Sequence, residues 1–203
     1  MAMSKVWFSA DAHYGHKRII KYCDRPFSSV EEMDRELIDN WNEVVAREDE
    51  VYFLGDFSLD FKRMKQVLPL LKGKIHLVAG NHDLCHSCNS DHGAYRRRYL
   101  EAGFFDICES TRLEIAGQSV LCCHMPYFDL DDIDQRYPEH KPHDDGEWLL
   151  HGHVHHRWKV SDRQINVGVD VWDFYPVSFD AIAALITGGS PEITTTGGGL
   201  DCL

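Results

Sequence analysis

Five short apolar runs, spread over the first 155 residues, each stop at a group that can hold a metal ion. KVWFSA (5–10) stops at Asp11, with His13 two residues on, and EVYFLG (50–55) stops at Asp56. KIHLVAG (74–80) stops at Asn81 and His82, SVLCC (119–123) at His124, and EWLLHG (147–152) at His153 and then His155. The runs are rich in β-branched and aromatic residues and bounded by turn formers, so they read as strands. Ligands of open α/β sheets collect beyond strand ends. A chain that puts a donor at each of these ends is therefore expected to gather those ends on one rim. One such ending means little; five in a single chain are hard to assign to accident.

The segments between the runs fix the fold class. SSVEEMDRELIDNWNEVV (28–45) is predicted to be a helix, capped by Ser29 with Glu32 completing a capping box. Val30, Met33, Leu37, Trp41 and Val44 recur along it at steps of three and four. Residues 60–71 and 93–102 also read as helical, the first stopped by Gly73. Apolar stretches at 105–108, 112–115 and 119–123 follow, with Ala116-Gly117 as a turn between the last two. EWLLHGHVHH (147–156) reads as a strand running into the histidine cluster, and QINVGVDV (164–171) as another. Residues 178–186 read as a short helix or a last strand. Residues 126–147 are acidic and aperiodic, a long loop, and 189–203 read as a frayed tail. With no internal repeat and no linker, residues 1–188 form one expected domain. Strands alternating with helices, then a strand-rich second half, imply a mixed α/β layered fold.

Composition narrows the function. The formal charge is −12, a poor non-specific match to a nucleic acid backbone and a plausible home for cations. No apolar run approaches the roughly 20 residues of a membrane span. The N-terminus lacks the plan of a signal peptide, so a cytoplasmic location is expected. The seven cysteines are an odd number, and without a secretion signal they read as reduced thiols.

Spacing adds chemistry. Residues two apart in an extended segment point to the same side. On that basis Asp11 and His13 face one ion, and so do His153 and His155. Imidazole, carboxylate and amide oxygen together suit zinc, iron, manganese or nickel rather than calcium. Asp56 follows a glycine, which leaves room for an ion to approach, and its two oxygens can bridge two metals. Gly80 and Gly152 stand in the same relation to Asn81 and His153.

DAH (11–13), GD (55–56), GNHD (80–83), His124 and GHVH (152–155), taken in order, resemble the signature of the calcineurin-like metallophosphoesterases. HYGHKRIIKYCDRPFSSVEEMD (13–34) is similar to the small bacterial and phage branch of that superfamily. The resemblance spans about residues 5–172. It implies a four-layer α/β/β/α sandwich of two facing sheets, and two divalent ions. By it, Asp11, His13 and His155 hold the first ion, Asn81, His124 and His153 hold the second, and Asp56 bridges them. His82 faces the substrate and assists the leaving group, with Asn81 also near the substrate. Asp60 and Asp83 are the two candidates to orient His82. His151 and His156 are bystanders, and Val154 points into the core. The implied activity is hydrolysis of phosphate esters, phosphodiesters or small nucleotide-like substrates, by attack of a metal-bridging hydroxide. A nuclease acting on single-stranded nucleic acid by the same chemistry is the alternative. A non-catalytic metal-binding scaffold on the same fold is the alternative of another class. The oligomeric state is open, a homodimer included.

Other features are weighed more simply. His16 either touches substrate phosphate or starts the next helix. Arg18 is a candidate substrate contact, although for Arg18 and Arg25 a solvated surface role is the commoner one. Cys85 and Cys88 read as loop thiols rather than a zinc site, and Cys122-Cys123 as a buried strand segment. The Arg96–Arg98 run beside Tyr95 and Tyr99 is the one hint of nucleic acid, against a solvated helix face. Tyr127, Phe128 and Trp148 stack on a substrate ring or pack in the core. Asn166, Gly168 and Asp170 are expected behind the ligands or in a turn.

Overall fold

The computed structural model describes residues 4–127 and 136–188. Two five-stranded sheets face each other. In the first, β1 (Val6–Ser9), β2 (Glu50–Phe53), β3 (Lys74–Val78) and β4 (Asp106–Cys108) run parallel in that order. The last strand, β10 (Val177–Ser178), returns antiparallel on the free side of β1. The second sheet has the order β5 (Ser110–Ile115), β6 (Gln118–Cys123), β7 (Trp148–His151), β9 (Gln164–Asn166), β8 (Val160–Ser161). β5 and β6 form a hairpin whose turn residues Ala116 and Gly117 lie at φ 53° and 75°. Positive φ at both central positions matches the twist of the flanking strands.

Parallel strands buried on both faces explain the unbroken apolar runs. On β2, Val51 and Phe53 face the helices, while Tyr52 joins the inter-sheet core with Leu54, the residue after the strand. Helices α2 (Val30–Val44), α3 (Phe61–Val67) and α4 (His92–Ala102) cover the outer face of the first sheet, supplying Met33, Leu37, Trp41, Met64 and Tyr99. Between the sheets, Phe8, Leu54 and Val78 meet Ile115, Val120, Leu150 and Ile165. The final helix, α5 (Phe179–Gly188), adds Ile182 and Ile186 to that core. On the outer face of the second sheet, Leu121, Cys123 and Leu149 are covered by Met125, Tyr127 and Tyr137. The result is a layered mixed α/β sandwich, two facing mixed sheets of five strands with flanking helices.

Several boundaries differ from the sequence reading. β7 stops at His151 and β9 at Asn166, so neither run continues as strand; a 3-10 turn, Val169–Val171, follows the second. The stretch near residue 178 is both elements, β10 and then α5. The short helix α1 (Lys17–Tyr22) and β8 carry no clear pattern in the sequence. Ser29 caps α2 by accepting the Glu32 N–H at 3.2 Å. The Glu32 carboxylate reaches back one residue further than a capping box requires, to the N–H of Ser28 at 2.8 Å. Phe128, the aspartates at 129–134 and the tail lie outside the described residues.

Candidate metal centre

The C-terminal ends of β1, β2, β3, β6 and β7 open onto one rim. The loops there are stitched together by the main chain. Asp11 N–H donates to the Gly55 carbonyl at 3.0 Å, and His13 N–H to that of Asp56 at 3.1 Å. The Gly152 N–H donates to the His124 carbonyl at 3.0 Å.

The geometric reason expected for the paired donors is not the one the fold uses. Asp11, His13, Asp56, His153 and His155 all sit at positive φ, 56°, 51°, 58°, 69° and 51°. The segments are not extended past the strand ends, so pleat alternation does not align the pairs. Each chain turns through the left-handed region instead, which costs a non-glycine residue roughly 1–2 kcal/mol. Such strain clusters at functional sites, where surrounding structure over-determines it.

Those turns bring the donors together. One ligand atom each from Asp11, His13 and His155 lie within 4.8 Å of one another, and so do those of Asp11, Asp56 and His124. A single oxygen of Asp56, Oδ2, stands 3.5 Å from His13 Nε2 and 3.4 Å from His124 Nε2. The His153 N–H donates to Asp11 Oδ2 at 2.9 Å, and its ring lies 5.3 Å from that of His124. Asn81 is buried beside them.

The charge balance is strained. Burial pushes the Asp11 carboxyl up, His155 and His124 offsetting part of it. Burial also works against ionised Asp56, but His124, His82 and His13 outweigh it and hold that carboxyl well below the usual range. Burial draws His124 down, yet Asp56 outweighs it and pushes the imidazole up to about 10. His13 is driven well below its ordinary value by burial.

Two observations test whether the donor set fits metal ions. His13 Nε2, His124 Nε2 and both amide atoms of Asn81 are buried with no hydrogen-bond partner, an expensive condition that a bound cation would relieve. The glycines hold the space open: a Cβ at Gly152 would stand 2.4 Å from Asp11 Oδ2, and one at Gly80 would stand 2.3 Å from Asp56 Oδ1. Nitrogen and carboxylate donors in this mixture suit a divalent transition metal.

Behind the donors stands a buried support. His155 Nδ1 donates to Asp170 Oδ2 at 3.2 Å, which leaves Nε2 free to bind. Asp170 is gripped in turn by Arg25, Nε at 2.7 Å and Nη2 at 2.9 Å. Arg25 also donates to the carbonyls of Asp11 and Ala12 at 2.7 and 3.0 Å. Arg25 is therefore not a surface cation; it is 4% exposed. His124 Nδ1 donates to the Leu54 carbonyl at 2.7 Å. Asp34 accepts the Gly15 N–H at 3.0 Å and pins the turn after His13.

His82 is exposed at the mouth, its ring 5.6 Å from that of His13 and its N–H on Asp56 Oδ1 at 2.9 Å. Neither candidate aspartate bonds to its ring. Asp60 is exposed and caps α3, accepting the Lys62 N–H at 2.9 Å. Asp83 is fully buried, and its carboxylate is spent on the N–H groups of Asp56, Gly80 and Phe57 at 2.8, 2.9 and 3.1 Å. It clips the two loops together, and burial followed by the Asp56 charge pushes it up to about 7. His16 precedes α1 with its ring 5.5 Å from His13, and Arg18 is exposed on that helix.

The remaining motifs are accounted for by packing. His151 is fully buried against Trp158, donates from Nδ1 to the Gly152 carbonyl at 2.7 Å, and is driven down to about 3 by burial. Val154 is buried. Asn166 holds the turns on either side through the carbonyls of His155 and Trp158 and the N–H of Gly168. Cys85 is buried and Cys88 half-buried; both are free thiols, and burial pushes Cys85 up. Arg96 donates to the Ile107 carbonyl, and Arg98 lies over the rings of Phe61 and Tyr95 at 4.1 and 4.7 Å. Two members of the basic run are thus engaged within the fold.

The calcineurin-like phosphoesterase superfamily domain matches residues 5–177. The chain belongs to that superfamily. An uncharacterized protein of Methanocaldococcus jannaschii is 36% identical over 200 residues, covering 93% of this chain and 95% of its own. The gene 66 protein of Mycobacterium phage D29 is 34% identical over 188 residues, covering 86% and 93%. Among solved structures, a protein of unknown function from Aquifex aeolicus aligns with a TM-score of 0.68 at 27% identity, covering 90% of this chain and all of that one. Calcineurin-like phosphoesterases are in general metal-dependent phosphoester hydrolases, and the residues gathered on the rim are a candidate metal site for that chemistry. Among the described residues no helix is long and apolar enough to cross a membrane.

Proposed function

We propose that this phosphoesterase hydrolyses phosphate esters, with a preference for diesters or small nucleotide-like substrates, at a centre built for two divalent transition-metal ions. Asp11, His13 and His155 would hold one ion, Asn81, His124 and His153 the other, and Asp56 would lie between. One observation carries the reading: a single Asp56 oxygen stands within 3.5 Å of imidazoles from opposite halves of the site. Two divalent ions there would polarise the phosphoryl oxygens and bring the pKa of a shared water to about 7.

The chain supplies the rest. Asp170 and the Leu54 carbonyl fix the tautomers of His155 and His124, so that their Nε2 atoms face the centre. Asp83 keeps the Asp56 and Asn81 loops at a fixed separation. His82 is the exposed imidazole at the mouth, placed to donate a proton to the departing ester oxygen. The nucleic acid reading draws little support, because Arg96 and Arg98 are engaged elsewhere. The complete donor set speaks against a non-catalytic scaffold.

The test loads metal-stripped protein with manganese, zinc or nickel and follows p-nitrophenyl phosphate and its bis ester. His82→Ala should keep its metal content and lose about 10²–10⁴-fold in kcat. Asp56→Ala should lose both. Full activity in His82→Ala would remove the role given to that residue, and an Asp56→Ala protein that kept both ions would remove the bridge.

A further inference from the structure

A polar pocket of about 330 Å³ opens beside the proposed centre. Its lining includes His124, one of the proposed ligands, together with Ala79, His86, Glu109, His140 and Lys141. His86 is 4% exposed, so its ring is not an ordinary surface imidazole. Its Nδ1 accepts the N–H of Cys88 at 3.1 Å. That bond places the proton of the neutral ring on Nε2. Burial holds its pKa below the ordinary histidine value, Glu109 offsetting part of it, which favours this neutral form.

The donor has an acceptor across from it at an unusual separation. His86 Nε2 is 4.0 Å from Glu109 Oε2, too long for a direct hydrogen bond. Glu109 is held in place by Ser87, whose N–H reaches Oε1 at 2.9 Å and whose hydroxyl reaches Oε2 at 2.8 Å. Burial works against the ionised carboxylate, but the two Ser87 bonds outweigh it and hold the group below its usual value. Each oxygen keeps acceptor capacity beyond its Ser87 bond, and Glu109 lines the pocket. A fixed N–H and a fixed carboxylate at this separation are the complement of a group that accepts and donates at once, a hydroxyl.

We propose that this pocket seats one ester arm of the substrate and selects an arm bearing hydroxyl groups, through His86 Nε2–H and Glu109, a reading that rests on the phosphoesterase function above. The substrate class is then a phosphodiester with a polyol or sugar arm rather than an alkyl one. With His140, these two side chains also lie close enough to hold a cation. The tautomer argues against it: the lone pair of Nδ1 is taken by Cys88, so Nε2 carries a proton and not the lone pair a metal requires.

The experiment uses the manganese-loaded protein and p-nitrophenyl phosphodiesters that differ only in the second arm: propyl, glyceryl, or a ribonucleoside joined through its 5′ oxygen. One hydroxylated arm should give kcat/KM about tenfold above propyl, carried by KM, the scale of one or two added hydrogen bonds. Which of the two wins separates a glycerol source from a sugar source. Glu109→Gln and His86→Phe should each bring the ratio toward one. A ratio of one in the parent, or a ratio that survives both substitutions, overturns the proposal. If no diester is turned over, the diester preference is what has failed, and if p-nitrophenyl phosphate is not turned over either, so has the phosphoesterase reading. The pocket is then decided by calorimetric binding of glycerol 3-phosphate against propyl phosphate: a preference abolished by Glu109→Gln upholds it, and equal binding overturns it. A further equivalent of bound zinc that disappears in His140→Ala also overturns it, in favour of a cation.

Discussion

A histidine ligand is only as good as the atom behind it. The rings of His155 and His124 each send Nδ1 to a buried acceptor, Asp170 and the Leu54 carbonyl. Asp170 matters more to the argument because it is a side chain and can be changed. Asp170→Asn can keep the side-chain shape but loses the charge that orients His155 and neutralises Arg25. Outer partners of this kind are worth about 10–100-fold in metal affinity. A manganese titration of Asp170→Asn should show one ion weakened by that factor, with circular dichroism confirming the fold. An unchanged affinity would mean that His155 needs no such support. Gly152→Ala tests the same site sterically. The added methyl would stand 2.4 Å from Asp11 Oδ2 and 2.7 Å from Ala10 Cβ, so metal content should fall although no donor is removed. These residues also mark the limit of reading a sequence. The residues that gather on the rim could be picked out because they lie at or just beyond the ends of apolar runs. Arg25 was not, because its partner Asp170 lies 145 positions away and nothing local records the pairing.

At the scale of elements, α2 shows the sequence at its most readable. Its apolar positions recur at helical spacing, and its buried apolar residues Met33, Leu37 and Trp41 all lie on the stripe the spacing picks out, with Asp34 and Asn40 buried beside them. Trp41 also donates its indole N–H to the Lys72 carbonyl at 2.9 Å. Trp41→Ala should therefore cost about 3–5 kcal/mol in chemical denaturation. Ser29→Ala, which removes only the cap, should cost about 1 kcal/mol. Equal losses from the two would put the helix's stability in its end rather than its buried face. The short loops after the strands were less readable. Alternation suggested that Asp11 and His13 share an ion because they lie on one side of a strand, but β1 ends at Ser9 and both residues sit at positive φ. Left-handed backbone at aspartate and histidine is imposed by the packed rim and its hydrogen bonds, and single-residue propensities do not encode it.

For the whole molecule, the proposed metal centre and the fold draw on the same free energy. Two sheets and the loops at their rim converge on buried carboxylates, imidazoles and an amide, several with atoms that bond to nothing in the protein. Each such atom costs about 1–3 kcal/mol of desolvation. Two large buried apolar clusters, one under the helices and one between the sheets, supply the burial that offsets this cost in the apo protein. Metal binding to the folded state alone should then raise stability by about 2.7 kcal/mol for each ion at 100 times its dissociation constant. For a domain near 200 residues that corresponds to a rise in Tm of about 5–10 °C per ion. Thermal unfolding of chelator-treated protein, followed as manganese is restored, should show that rise in the parent. Asp56→Ala, lacking the carboxylate between the two halves, should show little of it. A parent protein whose Tm ignored manganese would mean that the rim donors are not coupled to an ion at all, and the chemistry assigned to them would lose its physical basis.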